Sequence, residues 1–286
     1  MNVKIQLLLV SVLSLNACSL STASLSRGEN IRAMAVEQGW QKYLVLGDHF
    51  DLAYFVPDEV RVSNILVVYI EGDGLAWTSK TRPSADPTPL TPTALLLAQK
   101  HPGSNVAYLA RPCQYVEGIN RHHCSQAVWT GGRFSESVVS ASNQAITYLK
   151  NRYQADSLTL IGYSGGGAVA ALVAARRNDV MGLVTIAGNI DHDSWTSHHQ
   201  ITPLSESLNP ADFLSQLRGI PQVHFVGEKD QVVPAELTRG YVSKFDSSTS
   251  LASIIVNEVK DTDHHCCWVE QWPNLYSLVQ EVIPMR

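Results

Sequence analysis

The chain has 286 residues, with 21 Lys and Arg against 26 Asp and Glu, a formal net charge of −5 and 45% hydrophobic residues. That is the composition of a globular protein with a sizeable core, and it excludes collagen, coiled coil and disordered tail. Only 16% of the residues are charged, and without a basic excess to neutralise phosphates nucleic acid is excluded as a partner.

Taken in chain order, Met1 to Lys4 carry one positive charge, Ile5 to Leu15 form an apolar run broken only by Gln6, Ser11 and Ser14, and small residues follow. This is the pattern of a secretory signal, and the run is far shorter than the ~20 residues that span a bilayer. Leu15-Asn16-Ala17-Cys18 resembles the lipobox of bacterial lipoproteins. The resemblance implies cleavage before Cys18 and acylation of that cysteine, so that the membrane is a partner through a lipid anchor. Ser19 after the cysteine implies, by the same resemblance, the outer membrane facing the periplasm. The chain then divides into a signal peptide at 1–17, a tether and lead-in at 18–40 and one domain at 41–286. An exported chain meets oxidising conditions, so the other cysteines can pair. Cys113 and Cys124 share one polar loop and are the preferred bridge. A bridge between the adjacent Cys266 and Cys267 would strain the peptide joining them, which leaves buried thiols or a reach to the other loop as alternatives.

From Tyr43 onward strands and helices alternate. Tyr43 to Leu46 and Phe50 to Val56 flank Gly47-Asp48, a hairpin signal. Asn64 to Ile70 reads as a buried central strand. A Pro-rich loop, Thr81 to Pro92, leads to a helix at Ala94 to Gln99 and a strand at Val106 to Ala110. After a long connection comes a helix over Glu136 to Asn151, then strand Leu158 to Ile161, helix Gly166 to Arg176 and strand Leu183 to Ala187. A polar insertion precedes helix Ala211 to Leu217, strand Val223 to Val226, helix Ala235 to Phe245, strand Ser253 to Val256 and a final helix from Trp268. Such alternation predicts an α/β fold, a mostly parallel sheet with helices on both faces.

At Gly162-Tyr163-Ser164-Gly165-Gly166 a buried strand meets a helix of small residues through Gly-x-Ser-x-Gly. Strand, sharp turn and helix are the context a nucleophile elbow requires, with the flanking glycines admitting the close turn. Ser164 is the candidate nucleophile, and the Gly165 amide, at the helix start, is a candidate oxyanion donor. A serine hydroxyl needs a base, and the base an orienting acid. Gly227-Glu-Lys-Asp230-Gln-Val-Val-Pro234 offers Asp230, in the loop after a strand. Glu228 is a competitor, and Asp191 or Asp193 after the preceding strand is the chief rival. Asp263-His264-His265 follows the last strand and supplies two possible bases. His264, farther from the closing helix, is the first choice and His265 the second.

These three segments, in the order Ser, acid, His, resemble the α/β-hydrolase superfamily from about Tyr43 to Pro284. The resemblance implies the α/β-hydrolase fold and a serine hydrolase using Ser164, Asp230 and His264. It also implies a second oxyanion donor just after the third main strand, in Glu71-Gly72-Asp73-Gly74, where many relatives carry His-Gly. The Asp73 amide is the first choice there and Gly74 the second. The expected reaction is cleavage of a carboxylic ester, thioester or amide of a small-molecule or lipid-like acyl substrate through an acyl-enzyme, with no cofactor. The alternative is a non-catalytic envelope lipoprotein that uses the fold as a binding module. His122-His123-Cys124, His198-His199 and His264-His265-Cys266-Cys267 lack i, i+4 or Cys-x-x-Cys spacing, so no metal is expected. Trp77, Trp129 and Trp195 fall in loops above the sheet's carboxyl edge, where they either line an apolar pocket or pack the loops.

Overall fold

In the computed structural model, which describes residues 25–103, 105–245 and 252–283, the folded chain opens with α1 (Arg27–Glu37). Its start is a capping box: the Ser26 side chain accepts from the Glu29 amide and the Glu29 carboxylate accepts from the Ser26 amide. Two of the amides that a helix start leaves open are thereby met. Ile31 and Ala35 pack with Trp40 into the core, so ordered, packed structure begins within the segment read from sequence as tether and lead-in. Ser26-x-x-Glu29 was the available signal. Cys18, the signal segment and most of the Ser-rich tether lie outside the described residues.

The elements continue as β1 (Trp40–Val45), β2 (Leu52–Pro57), β3 (Ile65–Ile70), β4 (Trp77–Ser79), β5 (Arg82–Pro83), α2 (Thr93–Gln99) and β6 (Val106–Leu109). Then come α3 (Gln126–Trp129), α4 (Glu136–Tyr153), β7 (Ser157–Tyr163), α5 (Gly165–Ala174), β8 (Val180–Ile186), α6 (His192–His199) and α7 (Leu214–Leu217). Finally there are β9 (Gln222–Gly227), α8 (Ala235–Ser243), β10 (Ile254–Val259) and α9 (Trp268–Val282). Three departures from the sequence reading concern loops, the first being α3 in the long connection before α4. The Pro-rich segment contains the small β4–β5 ribbon, and the polar insertion after β8 contains α6, whose first turn is capped by the Asp191 side chain on the Ser194 amide.

The main sheet has eight strands in the order β1-β2-β6-β3-β7-β8-β9-β10. The β1–β2 and β2–β6 pairings are antiparallel and all the others parallel. The continuous apolar run of β3 divides by its period of two. Leu66, Val68 and Ile70 face α4 and α5, whereas Val67 and Tyr69 face the layer of α1, α2 and α9. Each fully buried Val, Leu or Ile there contributes roughly 1.5–3 kcal/mol. Helices on both faces leave one consequence for function: the loops that follow the parallel strands all emerge at one carboxyl edge.

Candidate active site

The carboxyl ends of β3, β7, β9 and β10 deliver one segment each to this edge. β7 ends in the elbow. Ser164 has φ 51° and ψ −123°, a backbone that L residues rarely adopt, and it is held by its amide on Ile186 O at 2.9 Å and by its carbonyl accepting from Gly167 and Asn189. A Cβ on Gly162 would lie 2.2 Å from Gly166 O, and one on Gly166 would lie 2.3 Å from Ile70 O. Glycine is required at both positions because the helix starts directly against the β3 and β7 backbones.

Asp230 follows β9 with its side chain fully buried. One carboxylate oxygen accepts from the Val232 and Val233 amides at 2.8 Å each, and the other meets His264 Nδ1 at 2.8 Å. His264 Nε2 lies 3.0 Å from Ser164 Oγ. Since a carboxylate only accepts, Nδ1 donates to Asp230, which leaves Nε2 as the acceptor for the serine proton. The His264 carbonyl is fixed as well, accepting from Tyr163 Oη at 2.7 Å and from Trp268 Nε1 at 3.2 Å. His265 is exposed, and its amide is held by Asp263. Of the paired histidines, the structure brings His264 to the serine.

The rival acids stand elsewhere. Asp191 is engaged by Lys244, Ser194 and Asn209. Asp193 accepts from Asn209 and pairs with His192. Glu228 is exposed and accepts from the Asp261 amide.

The segment after β3 lies against the elbow, where a Cβ on Gly72 would come within 3.3 Å of Ser164 Cβ. The Gly165 amide is one that a helix start leaves without an internal acceptor. Among the described residues neither it nor the Asp73 amide donates to a protein group. Two amides so placed can receive an oxyanion. The Asp73 side chain adds a feature that the sequence did not announce. Its carboxylate lies against Gly165, where an added Cβ would be 2.1 Å from Oδ1, and it takes Arg111 Nη1 at 3.2 Å and Arg133 Nη1 at 2.6 Å. Burial pushes the Asp73 pKa up, but Arg133 and then Arg111 outweigh it and hold the group below the usual carboxylate range. Two residues earlier, Glu71 is 1% exposed and, among the described residues, forms no salt bridge. It accepts from the Gly72 and Ala94 amides and from Tyr108 Oη, yet burial outweighs these bonds and pushes its pKa up to about 7.

Cys113 and Cys124 form the bridge that their shared loop favours, next to Arg111 and Gln114. The expectation against a Cys266–Cys267 bond is corrected: the two are joined, with Cα atoms 3.7 Å apart. The turn accommodates the bridge because Asp263 receives the His265 and Cys266 amides and Cys267 takes φ 80° just before α9. Of the three tryptophans, Trp129 is buried with Nε1 donating to Ser84 O, and Trp77 is exposed on the β4 ribbon. Trp195 carries the Arg133 guanidinium 6.0 Å from its ring centre. A surface hollow of about 610 Å³ between Trp40, Arg61, His101 and Asn105 lies at the amino ends of β3 and β6, away from Ser164.

Solved structures with this architecture include Est1E from Butyrivibrio proteoclasticus, at TM-score 0.59 and 12% identity over 84% of this chain and 98% of that one. A Pyrococcus furiosus esterase, Pf2001, matches at TM-score 0.59 and 11% identity over 87% and 93%. An alpha-beta serine hydrolase homologue from Coxiella burnetii matches at TM-score 0.54 and 14% identity over 84% and 96%. At these identities the likeness shows the α/β-hydrolase fold. No curated protein matches the chain in sequence. The model of the FSH1 serine hydrolase family matches residues 104–257, more than half of the chain and the part that holds the elbow and Asp230, and the chain belongs to that family.

Proposed function

We propose that this serine hydrolase cleaves a carboxylic ester through an acyl-enzyme. The observation that carries the reading is the unbroken run of contacts from Ser164 Oγ through His264 to Asp230. Ser164 Oγ attacks the ester carbonyl while its proton passes to His264 Nε2, and Asp230 steadies the imidazolium that forms. The carbonyl oxygen gains charge facing the Gly165 and Asp73 amides. Collapse of the tetrahedral intermediate expels the alkoxide, which takes the proton back from Nε2. Water, deprotonated by the same nitrogen, then adds to the acyl group, and Ser164 leaves with the proton. A pre-oriented set of amides acts on the transition state more than on the ground state.

The test is hydrolysis of p-nitrophenyl acetate and butyrate by the purified protein and by Ser164→Ala. Turnover with an initial burst in the wild type, lost in the variant, supports the reading. Equal rates in the two would remove Ser164 from the chemistry. The lipobox resemblance supports a second proposal, that Cys18 is acylated and tethers the domain to the cell envelope. Metabolic labelling with an alkyne fatty acid should mark the wild type and not Cys18→Ser, and equal labelling would contradict it.

A further inference from the structure

Arg133 is a buried cation that the ester chemistry does not use. Its side chain is 8% exposed. Nη1 is spent on Asp73 at 2.6 Å and Nε on Thr130 O at 2.7 Å, and among the described residues Nη2 has no hydrogen-bond acceptor. Two lines of contact tie this guanidinium to the reacting atoms. Through Asp73 it reaches Gly165, whose amide flanks Ser164. Through Trp195, whose Nε1 donates to Val232 O, it reaches the turn in which the Val232 amide holds Asp230. Arg133 is therefore linked both to the oxyanion segment and to the acid loop, the two segments that serve Ser164.

The charges there do not balance. Asp73 is one carboxylate serving two guanidinium groups, Arg111 and Arg133. Arg111 is held by further contacts: Nη2 donates to Arg133 O, and its guanidinium stands 5.4 Å from the Phe134 ring centre, while its buried Nε has no hydrogen-bond partner among the described residues. Asp230 is committed to His264. Glu206, near Gly132, is solvent-exposed. Glu71 is the one other acid that acts on Arg111, so Arg133 is left with an Nη2 edge that meets no protein anion, and a largely buried guanidinium in that position is costly unless an anion meets it. A guanidinium with a free edge suits a carboxylate in particular.

We infer that Arg133 is a specificity-determining residue that receives an anionic group, a carboxylate, carried by the ester substrate close to its scissile carbonyl. The inference rests on the ester-hydrolase reading and deepens it. Attraction in the site raises the local concentration of acidic esters and holds the carbonyl against the Gly165 and Asp73 amides. Trp195 lies against the guanidinium, and the Nη2 edge is the one left for the substrate.

The test compares matched ester pairs. On the acyl side, p-nitrophenyl half-esters of glutaric, adipic and pimelic acid are set against the pentanoate, hexanoate and heptanoate. On the alcohol side, 4-acetoxybenzoate is set against its methyl ester. The expected result is a preference of about tenfold or more in kcat/KM for the anionic member of at least one pair. The pair that shows it tells which side of the ester bears the carboxylate. The preference should shrink as NaCl rises from about 20 to about 500 mM, fall to within about threefold in Arg133→Gln, and return in part in Arg133→Lys. Where Arg133→Gln fails to fold, free adipate and hexanoate compete with a neutral ester in the wild type, and adipate should inhibit at lower concentration. Ratios within about twofold in both arms, with neutral esters still hydrolysed, would overturn this inference and leave the hydrolase reading standing. A preference undiminished in Arg133→Gln would overturn it too. No turnover of any ester would remove both.

Discussion

Two segments close on Ser164 from opposite sides, and they are held by different means. The segment after β3, residues 71–75, is fixed by buried ions: Asp73 between Arg111 and Arg133, with Gln114 Nε2 on the Gly72 carbonyl at 3.0 Å. The segment after β10, residues 260–267, is fixed by hydrogen bonds to its backbone, an exposed Lys229–Asp261 pair and a covalent clamp. Tyr163 and Trp268 hold the His264 carbonyl, Asp263 gathers two following amides, and Cys266 is joined to Cys267. The difference follows from what each segment presents. The β3 segment offers a backbone amide, whose direction depends on the whole loop, and a multivalent ion cluster fixes a loop in several directions at once. The β10 segment offers one side chain, and fixing the carbonyl behind it is enough to aim the ring.

Four variants probe that contrast. The largest effect belongs to the histidine segment: His264→Ala should slow acylation by about 10⁴-fold or more, and His265→Ala by less than about threefold. Single-turnover kinetics with a p-nitrophenyl ester read both, and a dead His265→Ala beside an active His264→Ala would reverse the assignment. Next comes Asp73→Ala, which leaves two buried guanidinium groups facing each other without a counter-charge. It should destabilise the fold by about 3–5 kcal/mol in urea unfolding and lower kcat more than it raises KM. Unchanged stability would mean that the ion cluster does not hold the segment.

The smallest effect concerns Glu71, the buried acid on the same loop whose pKa is pushed up rather than down. Its pKa rises from 4.5 to about 7 on folding, so the folded state binds the proton more tightly. The stability this confers is complete below pH 4.5 and is lost as pH rises through about 7. Glu71→Gln keeps an acceptor for the Gly72 and Ala94 amides and removes the titration. The slope of stability against pH in that window should flatten, by up to about 3 kcal/mol across it. An identical slope in the variant would show that Glu71 does not titrate there.

The same contrast explains what was legible in the sequence. The elbow, Asp230 and Asp263-His264 are short segments at the ends of predictable strands, so local pattern located them. The choice of His264 over His265 also followed from local order, since consecutive side chains diverge and only one faces the serine. Arg111 and Arg133 pair with Asp73 from 38 and 60 residues away, across a long connection with no periodic signal, and no local pattern announces that meeting. The bridge between Cys266 and Cys267 was misjudged because the positive φ of Cys267 belongs to the helix start it precedes, which the cysteines themselves do not reveal. The helix at Arg27–Glu37 was passed over because its apolar face is narrow, although its capping box was present in the residues.

The central claim is that Ser164 is the nucleophile and that His264, held by Asp230, activates it. The most direct measurement is reaction with a fluorophosphonate, followed by peptide mass mapping of the adduct in the wild type, Ser164→Ala and His264→Ala. A single adduct on Ser164, absent in Ser164→Ala and formed at least about 10³-fold more slowly in His264→Ala, is the predicted result. An adduct on any other residue, or labelling of Ser164 at an undiminished rate without His264, would contradict the account.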